Sequence, residues 1–374
     1  MNDITVDPDS LAGFPSDLQD LGTNSSANAS RLLAGVCLAP GSAGLMATLA
    51  PSFDRFRASM SAAGRADLTA VGRLAADIAS AAATYRSTDD TSARAISTAG
   101  SDLLGGSRPP GSAEHGVSRF GGWQLPSLPE VPEHPYAVRR VVEAAIEQIA
   151  VYDERFDEAI GVRPVADHLS EVVADWEALR AVGKRIGLLG INDHITSENI
   201  VNGSTWLRGG WSGDASRAFG GSADDLGRSL AERGDLLDRA AKVVESGGAC
   251  LERLAHNQAV GLTSAVLRPM TYFGATFPLG AWVPHIHKPI DQAMRSEIVS
   301  AADALEESAR SRHSEMAAVV QRIAEVLDRL PAGTPPSFTE DDFRIADKVV
   351  ADPGVRRYGF GDNTWWEEGI DFAG

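Results

Sequence analysis

A repeating apolar pattern between residues 219 and 254 constrains the fold of this chain more than any other feature. Apolar side chains recur at seven-residue intervals, at Ala223, Leu230, Leu237, Val244 and Leu251. Interleaved positions hold Phe219, Leu226, Ala240 and Leu254. This three- and four-residue spacing is typical of a long helix that buries a narrow seam against partner helices. The chain must therefore supply other helices with matching faces.

Similar spacing predicts helices from about Pro8, from about Ser52, over residues 138–160 and 165–179, and over about 288–330. Asp67 is the one break in the apolar seam of the second helix. No run of alternating apolar and polar residues indicates strands. The predicted fold class is all-α, with two or more long antiparallel helical hairpins packed as an elongated bundle.

The first two helices form a predicted hairpin, which needs a second hairpin to bury its apolar stripe. Asp7 and Pro8 have the residue types of a helix cap and a first helical position, and a Pro- and Gly-containing stretch at 39–51 predicts the turn. A loop rich in Asn and Gly is expected between Leu179 and the heptad helix. That loop would end in the stretch 204–219, which contains Trp211.

Composition divides the chain into four segments. Residues 1–104 form the first hairpin, and residues 105–135 are rich in Gly, Pro and Ser, as linkers are. Residues 136–331 return to helical periodicity. Residues 332–374 form an acidic tail with Trp365 and Trp366. This tryptophan pair is interpreted either as a docking peptide or as a cap that folds back on the bundle, and both alternatives stay open.

Charge and hydropathy exclude several classes of function. A net charge of -17 argues against nucleic-acid binding, because such a protein must neutralise phosphates with Lys and Arg. The polar N-terminus does not resemble a cleavable signal peptide. The apolar stretch 260–283 contains Arg268 and two prolines, so it is interpreted as buried and not as a membrane span. No stable membrane insertion is expected.

The sequence lacks the common patterns of catalytic and metal-binding residues. There is no phosphate-binding glycine loop, nucleophile elbow or zinc-protease motif. His285 and His287 could supply two metal ligands, but the sequence indicates no third. Cys37 and Cys250 are expected to be buried free thiols in preference to a single bridge. The chain is therefore predicted to have no enzymatic activity, no metal and no cofactor.

Two short motifs stand at informative places in the predicted hairpins. Tyr85 and Asp89 are four residues apart and would project from one helix face at the end of the second helix. Trp211 and Gly213 precede the heptad helix, where Gly permits a tight turn and the Trp ring can plug the hairpin end. Trp206 and Phe219 would enlarge that plug. Each motif also has a plainer interpretation, as the end of an apolar seam and as an ordinary packing tryptophan.

With these motifs, residues 1–100 resemble the excreted-virulence-factor class of type VII secretion substrates, relatives of the WXG family. Residues 165–255 resemble that family less closely. The resemblance implies that Tyr85 and Asp89 form an export signal and that Trp211 and Gly213 form the hairpin turn. It further implies two kinds of partner, the type VII secretion machinery or its chaperone, and a small WXG-like protein.

The two motifs lie on different hairpins, which differs from a single WXG protein. We therefore hypothesise an intramolecular pseudo-dimer, in which the first hairpin folds against the second. The expected function is that of a non-enzymatic substrate, secreted or in the cell envelope without a cleavable signal peptide, which acts through protein–protein contacts after export. The alternatives are the trafficking module of a toxin-type effector and a cytosolic partner protein of such an effector.

Overall fold

The computed structural model describes residues 5–40, 42–104, 116–124, 127–132, 137–330, 333 and 343. Long helices dominate this part of the chain. In chain order the α-helices, long and short, are α1 (Pro8–Ala34), α2 (Gly44–Ala47), α3 (Ala50–Leu104), α4 (Val138–Ile149), α5 (Asp153–Ile160), α6 (Pro164–His168), α7 (Ala178–Gly210), α8 (Asp214–Val266), α9 (Leu279–Trp282) and α10 (Gln292–Arg329). Two strands, β1 (Pro269–Tyr272) and β2 (Ala275–Pro278), pair as an antiparallel hairpin. The all-α prediction is confirmed.

Helix α1 begins where the sequence predicts. Asp7 Oδ1 accepts a hydrogen bond of 3.1 Å from the backbone N–H of Asp9, and Asp7 Oδ2 accepts one of 2.6 Å from the Ser10 hydroxyl. The first of these bonds satisfies a backbone donor that the first helical turn leaves without an intrahelical partner. Pro8 follows as the first helical residue.

The heptad prediction for α8 is confirmed along its length. Every residue of the seven-residue series is at most 1% exposed. The interleaved positions are buried or partly buried as well. The period of the sequence therefore identifies the inward face of this helix correctly.

The loop predicted before Trp211 is wrong, because α7 is helical from Ala178 to Gly210. Its small and polar residues face neighbouring helices. Gly203 lies so close to the Phe14 ring that an added Cβ would come within 2.6 Å of it. The Thr196 hydroxyl donates to the Asn192 carbonyl and that of Ser197 to the Gly227 carbonyl, at 2.7 and 2.6 Å. Side chains that usually interrupt helices here serve close packing and hydrogen bonding.

The single helix predicted over residues 165–179 is also wrong. Helix α6 ends at His168, a short 3₁₀ turn covers Ser170–Val172, and α7 begins at Ala178. The apolar residues of this stretch are nevertheless buried, and the fully buried Trp176 donates from Nε1 to the Val172 carbonyl at 3.0 Å. The apolar spacing of residues 165–179 therefore predicted correctly which residues are buried, but it did not predict the secondary structure.

The described chain divides into two compact units that are discontinuous in sequence. Unit 1 consists of residues 1–34, 58–130 and 186–238, and unit 2 of residues 35–57, 131–185 and 239–374. Unit 1 is a four-helix bundle built from α1 and the unit 1 parts of α3, α7 and α8. Its core contains Leu11, Phe14, Leu18, Val71, Ile78, Ile200, Trp211, Phe219 and Leu230, among others.

Unit 1 includes residues 116–124 and 127–130 of the Gly- and Pro-rich segment. The backbone N–H groups of Ser118 and Phe120 donate to the Asp9 carbonyl and to Asp17 Oδ2, at 3.0 and 2.9 Å. Leu128 is buried, and its carbonyl accepts a 2.9 Å bond from Arg31. These parts of the predicted linker therefore pack along the helices of unit 1.

Unit 2 contains helices α4 to α6, α10 and the β-hairpin. Asp291 caps α10 by accepting from the N–H groups of Ala293 and Met294. Within this unit, Arg55 forms a bidentate ion pair with Asp328 at 2.9 Å. Burial of α10 follows the predicted three- and four-residue spacing, from Met294 to Leu327.

The β-hairpin corrects two expectations about the apolar stretch 260–283. The sequence indicated no strands, yet β1 and β2 pair from Pro269 opposite Pro278 to Tyr272 opposite Ala275. The stretch was also expected to be buried, but the Phe273 and Phe277 side chains are 84% and 53% exposed. None of the described helices is long and apolar enough to cross a membrane.

The two cysteines are not joined in a disulfide, and the expected burial holds for Cys250 but not for Cys37, which is partly exposed. Burial raises the pKa of the Cys250 thiol to about 11.

Because the thiolate is the reactive form, we expect maleimide to label Cys37 at least about tenfold faster than Cys250 at neutral pH. Mass spectrometry of the time course measures both rates. Labelling of the Cys37→Ser variant in denaturant is the control, because it shows that Cys250 reacts once it is exposed. Equal labelling rates of Cys37 and Cys250 in the native protein would contradict the burial of Cys250.

Candidate functional site

The turn between α7 and α8 contains the Trp-x-Gly motif at one end of the unit 1 bundle. Gly213 has a φ of 112°, in the region that residues with a side chain rarely occupy. The Ser216 hydroxyl donates to the Trp211 carbonyl at 2.7 Å, which fixes the beginning of α8. The Trp211 side chain is 3% exposed, so its ring closes the end of the core.

Tyr85 meets this turn from the other hairpin. The Trp211 indole Nε1 donates a hydrogen bond of 3.3 Å to the Tyr85 hydroxyl. The two residues are 126 positions apart in sequence and belong to different hairpins. The structure therefore brings the Trp-x-Gly motif and the tyrosine of the Tyr-x-x-x-Asp motif into direct contact.

The N-terminal residues pair with the same turn as a short antiparallel bridge between Val6 and Trp211. The Asp7 N–H donates to the Gly210 carbonyl at 2.8 Å, and the Ser212 N–H donates to the Thr5 carbonyl at 2.9 Å. Sequence reasoning missed this pairing. The β-branched pair Thr5 and Val6, immediately before the helix cap, is the signal that could have indicated it.

An aromatic cluster lies beneath the turn, with the fully buried Phe14 at its centre. The Phe14 ring lies 5.9 Å from Trp123, 5.9 Å from Trp206 and 6.2 Å from Phe219, between ring centroids. Trp206 and Phe219 thus lie where the sequence predicted them. Trp123 and Phe120 were missed, because they belong to the segment interpreted as a linker. Such ring pairs contribute about 1 kcal/mol each beyond their buried area.

Asp89 does not share the environment of Tyr85. Its side chain is exposed, and Tyr85 is half-buried. The prediction that the motif ends its helix is wrong, because α3 continues to Leu104. Between Ser87 and Ala99 every side chain except Ser97 is exposed, including Ile96 at 73%. Threonine hydroxyls in this stretch donate to carbonyls one turn back, as Thr91 does to Ser87 at 2.7 Å. Asp89 therefore lies at the beginning of a helical arm, residues 87–99, that is solvated on nearly all sides.

A polar layer crosses the unit 1 bundle below the aromatic cluster. Arg233 on α8 donates to Asp193 on α7 and to Asp67 on α3, with both N–O distances 2.6 Å. Burial alone would lower the pKa of Arg233, but the hydrogen bonds and charges of both carboxylates outweigh it, and the net pKa is raised. Burial is the main cause that raises the pKa of Asp193. Asp67, the one break in the predicted seam, is thereby paired across the two hairpins.

The polar layer continues on the α1 side of the bundle. The Asn192 amide donates to the Ser25 hydroxyl at 3.0 Å, and the Thr196 hydroxyl lies at hydrogen-bond distance from the same oxygen. A small cavity of about 40 Å³ lies between these groups and the arginine. All four bundle helices therefore contribute polar side chains to one level of the core.

The remaining candidate residues lie elsewhere. Trp365 and Trp366 lie outside the described residues. His287 Nε2 lies 2.8 Å from the Ala159 carbonyl, and the His285 ring contacts Trp282. Within the described ranges, no group of three or more His, Cys, Asp or Glu side chains could hold a metal ion. The contacts at the turn between α7 and α8 are thus made by hydrogen bonds and buried rings.

Comparison of the sequence with protein-family models found no match, and comparisons with curated proteins and with solved structures found none either. The arguments about this site therefore depend on its own geometry.

We expect replacement of Arg233 by alanine to destabilise unit 1 by about 3 kcal/mol, because it leaves two carboxylates without their buried counter-charge. Chemical unfolding monitored by circular dichroism measures the change. Arg228→Ala is the matched control on the same helix, since its partner Asp225 and Arg228 itself are both well exposed. Its free energy of unfolding should stay close to that of the wild type. An equal effect of both substitutions would contradict the assigned role of the polar layer.

The helix cap at Asp7 predicts a pH dependence. The Ser10 hydrogen bond is the main cause that lowers the pKa of Asp7 below its ordinary value of 3.8. A lowered pKa stabilises the fold above the ordinary value, and this contribution is lost as the pH falls through the folded-state value. The advantage of the wild type over Asp7→Asn in unfolding temperature should therefore be full at about pH 6 and should decrease progressively as the pH falls below 3.8. Asp90→Asn on the exposed arm is the control, and a difference that persists in acid would contradict the cap.

Proposed function

We propose that this chain is a non-enzymatic substrate of a type VII secretion machine and acts through protein–protein contacts after export. The hydrogen bond between Trp211 and Tyr85 is the observation that carries the proposal. It joins two motifs that the sequence resemblance associates with export, and it joins them within one chain. In this proposal the protein reaches the envelope or the outside without a cleavable signal peptide.

The two hairpins of unit 1 support a self-contained signal. Each hairpin covers the apolar stripe of the other, and residues 5–7 fix the turn by backbone hydrogen bonds. In the proposal, the second hairpin therefore takes the place of a separate small WXG-like partner. The secretion machinery or its chaperone remains the proposed partner.

Asp89 and the helical arm supply an accessible surface for such a partner. The carboxylate projects one helical turn beyond the fixed Tyr85 side chain, on the same face. Beyond it, the arm offers its polar residues and the exposed Ile96 over the whole circumference. A partner that binds here would contact the Asp89 carboxylate, whose position the Tyr85–Trp211 contact determines.

Export tests the proposal directly. We expect Tyr85→Ala and Asp89→Asn each to reduce the protein in the culture filtrate at least about tenfold, in a host with an intact type VII system. The physical reason is that each substitution removes a side chain from the centre of the surface that the partner is proposed to bind. Immunoblots of filtrate and cell pellet measure the ratio, and circular dichroism of each purified variant checks folding.

Matched variants separate recognition from stability. Asp90→Asn removes a neighbouring exposed carboxylate on a different helix face and should be exported normally. Tyr85→Phe keeps the ring but removes the acceptor for Trp211, so it tests the contact itself. Normal export of Tyr85→Ala and Asp89→Asn would overturn the proposed signal. Absence of the wild type from the filtrate would favour a cytosolic partner protein, and toxicity on expression would favour a toxin-type effector.

A further inference from the structure

The β-hairpin of unit 2 presents an unusual aromatic surface, here called the aromatic hairpin, residues 267–282. Phe273 lies at its tip with 84% of its side chain exposed. Phe277 is 53% exposed and Leu267 is 37% exposed. Exposed apolar side chains are common singly, but three of them within residues 267–277 indicate an interaction site.

The backbone at the tip carries strain that the turn itself does not require. Phe273 has a φ of 55°, and it is the one non-glycine residue with positive φ in the described part of the chain. Gly274 follows with a φ of 76°. Two-residue turns of this kind favour Asn or Gly at the first position, because a bulky side chain is disfavoured there. An exposed phenylalanine thus gains nothing from burial and costs conformational energy, which points to a role outside the fold.

The base of the aromatic hairpin holds this tip rigidly. Trp282 Nε1 donates to the Met270 carbonyl at 3.0 Å, and the Trp282 ring contacts those of Tyr272 and Phe277 at 5.2 and 5.6 Å between centroids. The Thr271 and Thr276 hydroxyls lie 2.7 Å apart across the two strands. The aromatic tip is therefore preorganised before it meets a partner.

The charge of this region differs from that of the rest of the chain. Residues 267–288 contain Arg268 and Lys288 but no Asp or Glu, although the whole chain has a net charge of -17. Residues 269–284 contain no Lys, Arg, Asp or Glu at all. Arg268 and Lys288 are both exposed. The stretch is therefore uncharged between two cations in sequence, while the Glu297 carboxylate of α10 lies against Tyr272 of the hairpin.

We propose that the aromatic hairpin docks the protein on the surface of a lipid bilayer. Phe273 and Phe277 enter the headgroup region, where aromatic side chains are favoured, and Arg268 and Lys288 contact lipid phosphates. The acidic remainder of the chain opposes anionic membranes, but charges more than about 8 Å away are largely screened at physiological salt. Such docking needs no membrane-spanning helix.

Flotation with vesicles tests the docking. The wild-type protein should bind vesicles of equal parts phosphatidylcholine and phosphatidylglycerol more tightly than vesicles of phosphatidylcholine alone. Phe273→Asn should weaken binding to the mixed vesicles about tenfold, because one buried ring is lost. Asparagine suits the left-handed backbone at this position, so the variant should melt at the same or a higher temperature. A loss of binding therefore cannot reflect unfolding.

Two further variants complete the experiment. Val151→Asn removes another apolar side chain of unit 2, 66% exposed, and should leave vesicle binding unchanged. The double variant Arg268→Gln, Lys288→Gln should abolish the preference for phosphatidylglycerol. Failure of the wild type to bind either vesicle would overturn the proposal and favour a protein pocket as the partner of Phe273. Unchanged binding by Phe273→Asn, or equal losses for Phe273→Asn and Val151→Asn, would overturn it as well.

Discussion

The mutual burial of two apolar stripes is the constraint on which unit 1 depends. A helical hairpin with one stripe leaves that stripe in water, and burial of each large apolar side chain contributes about 2 kcal/mol. Phe14, Ile78 and Ile200, from α1, α3 and α7, share one core with Trp211 of the turn between α7 and α8. The position of Tyr85 against the turn follows from this pairing, because the register of the four helices determines which residues meet at the end of the bundle.

Apolar packing alone does not select that register, since small side chains slide past one another at little cost. The polar layer around Arg233 is more selective, because one guanidinium must satisfy carboxylates on two other helices. A shifted helix would leave Asp193 buried without its partner, and unpaired buried charge is strongly disfavoured. The layer therefore links the alignment of α3, α7 and α8 to the placement of Tyr85. Its net contribution to stability is smaller than its effect on specificity.

Much of the fold could be predicted from the sequence, because the period of a long helix appears in the spacing of its apolar residues. The seam of α8, the cap at Asp7 and the all-α class were predicted from such local signals, and the structure confirms them. Helix α7 could not be predicted in this way. Its Gly, Asn and Ser residues pack against other helices or form hydrogen bonds with them, and only the tertiary structure supplies those partners. For the same reason the contacts of Trp123 with Phe14 and of residues 5–6 with the turn at 211–212 were not predicted. The β-hairpin was not predicted because its strands are short, do not alternate apolar and polar residues, and contain Pro269 and Pro278.

The places where local rules fail are themselves informative. Asp67 interrupts an apolar seam, and Arg233 accounts for it within the core. The solvated arm of α3 and the strained Phe273 have no such account in the contacts described within their units, because neither buries its side chains there. A helix that continues beyond its packing partners and a ring held in a disfavoured backbone both cost free energy in the isolated protein. In the two proposals made above, a contact outside the fold explains each of these features. Because the arm belongs to unit 1 and the ring to unit 2, the two contacts can be made and tested independently.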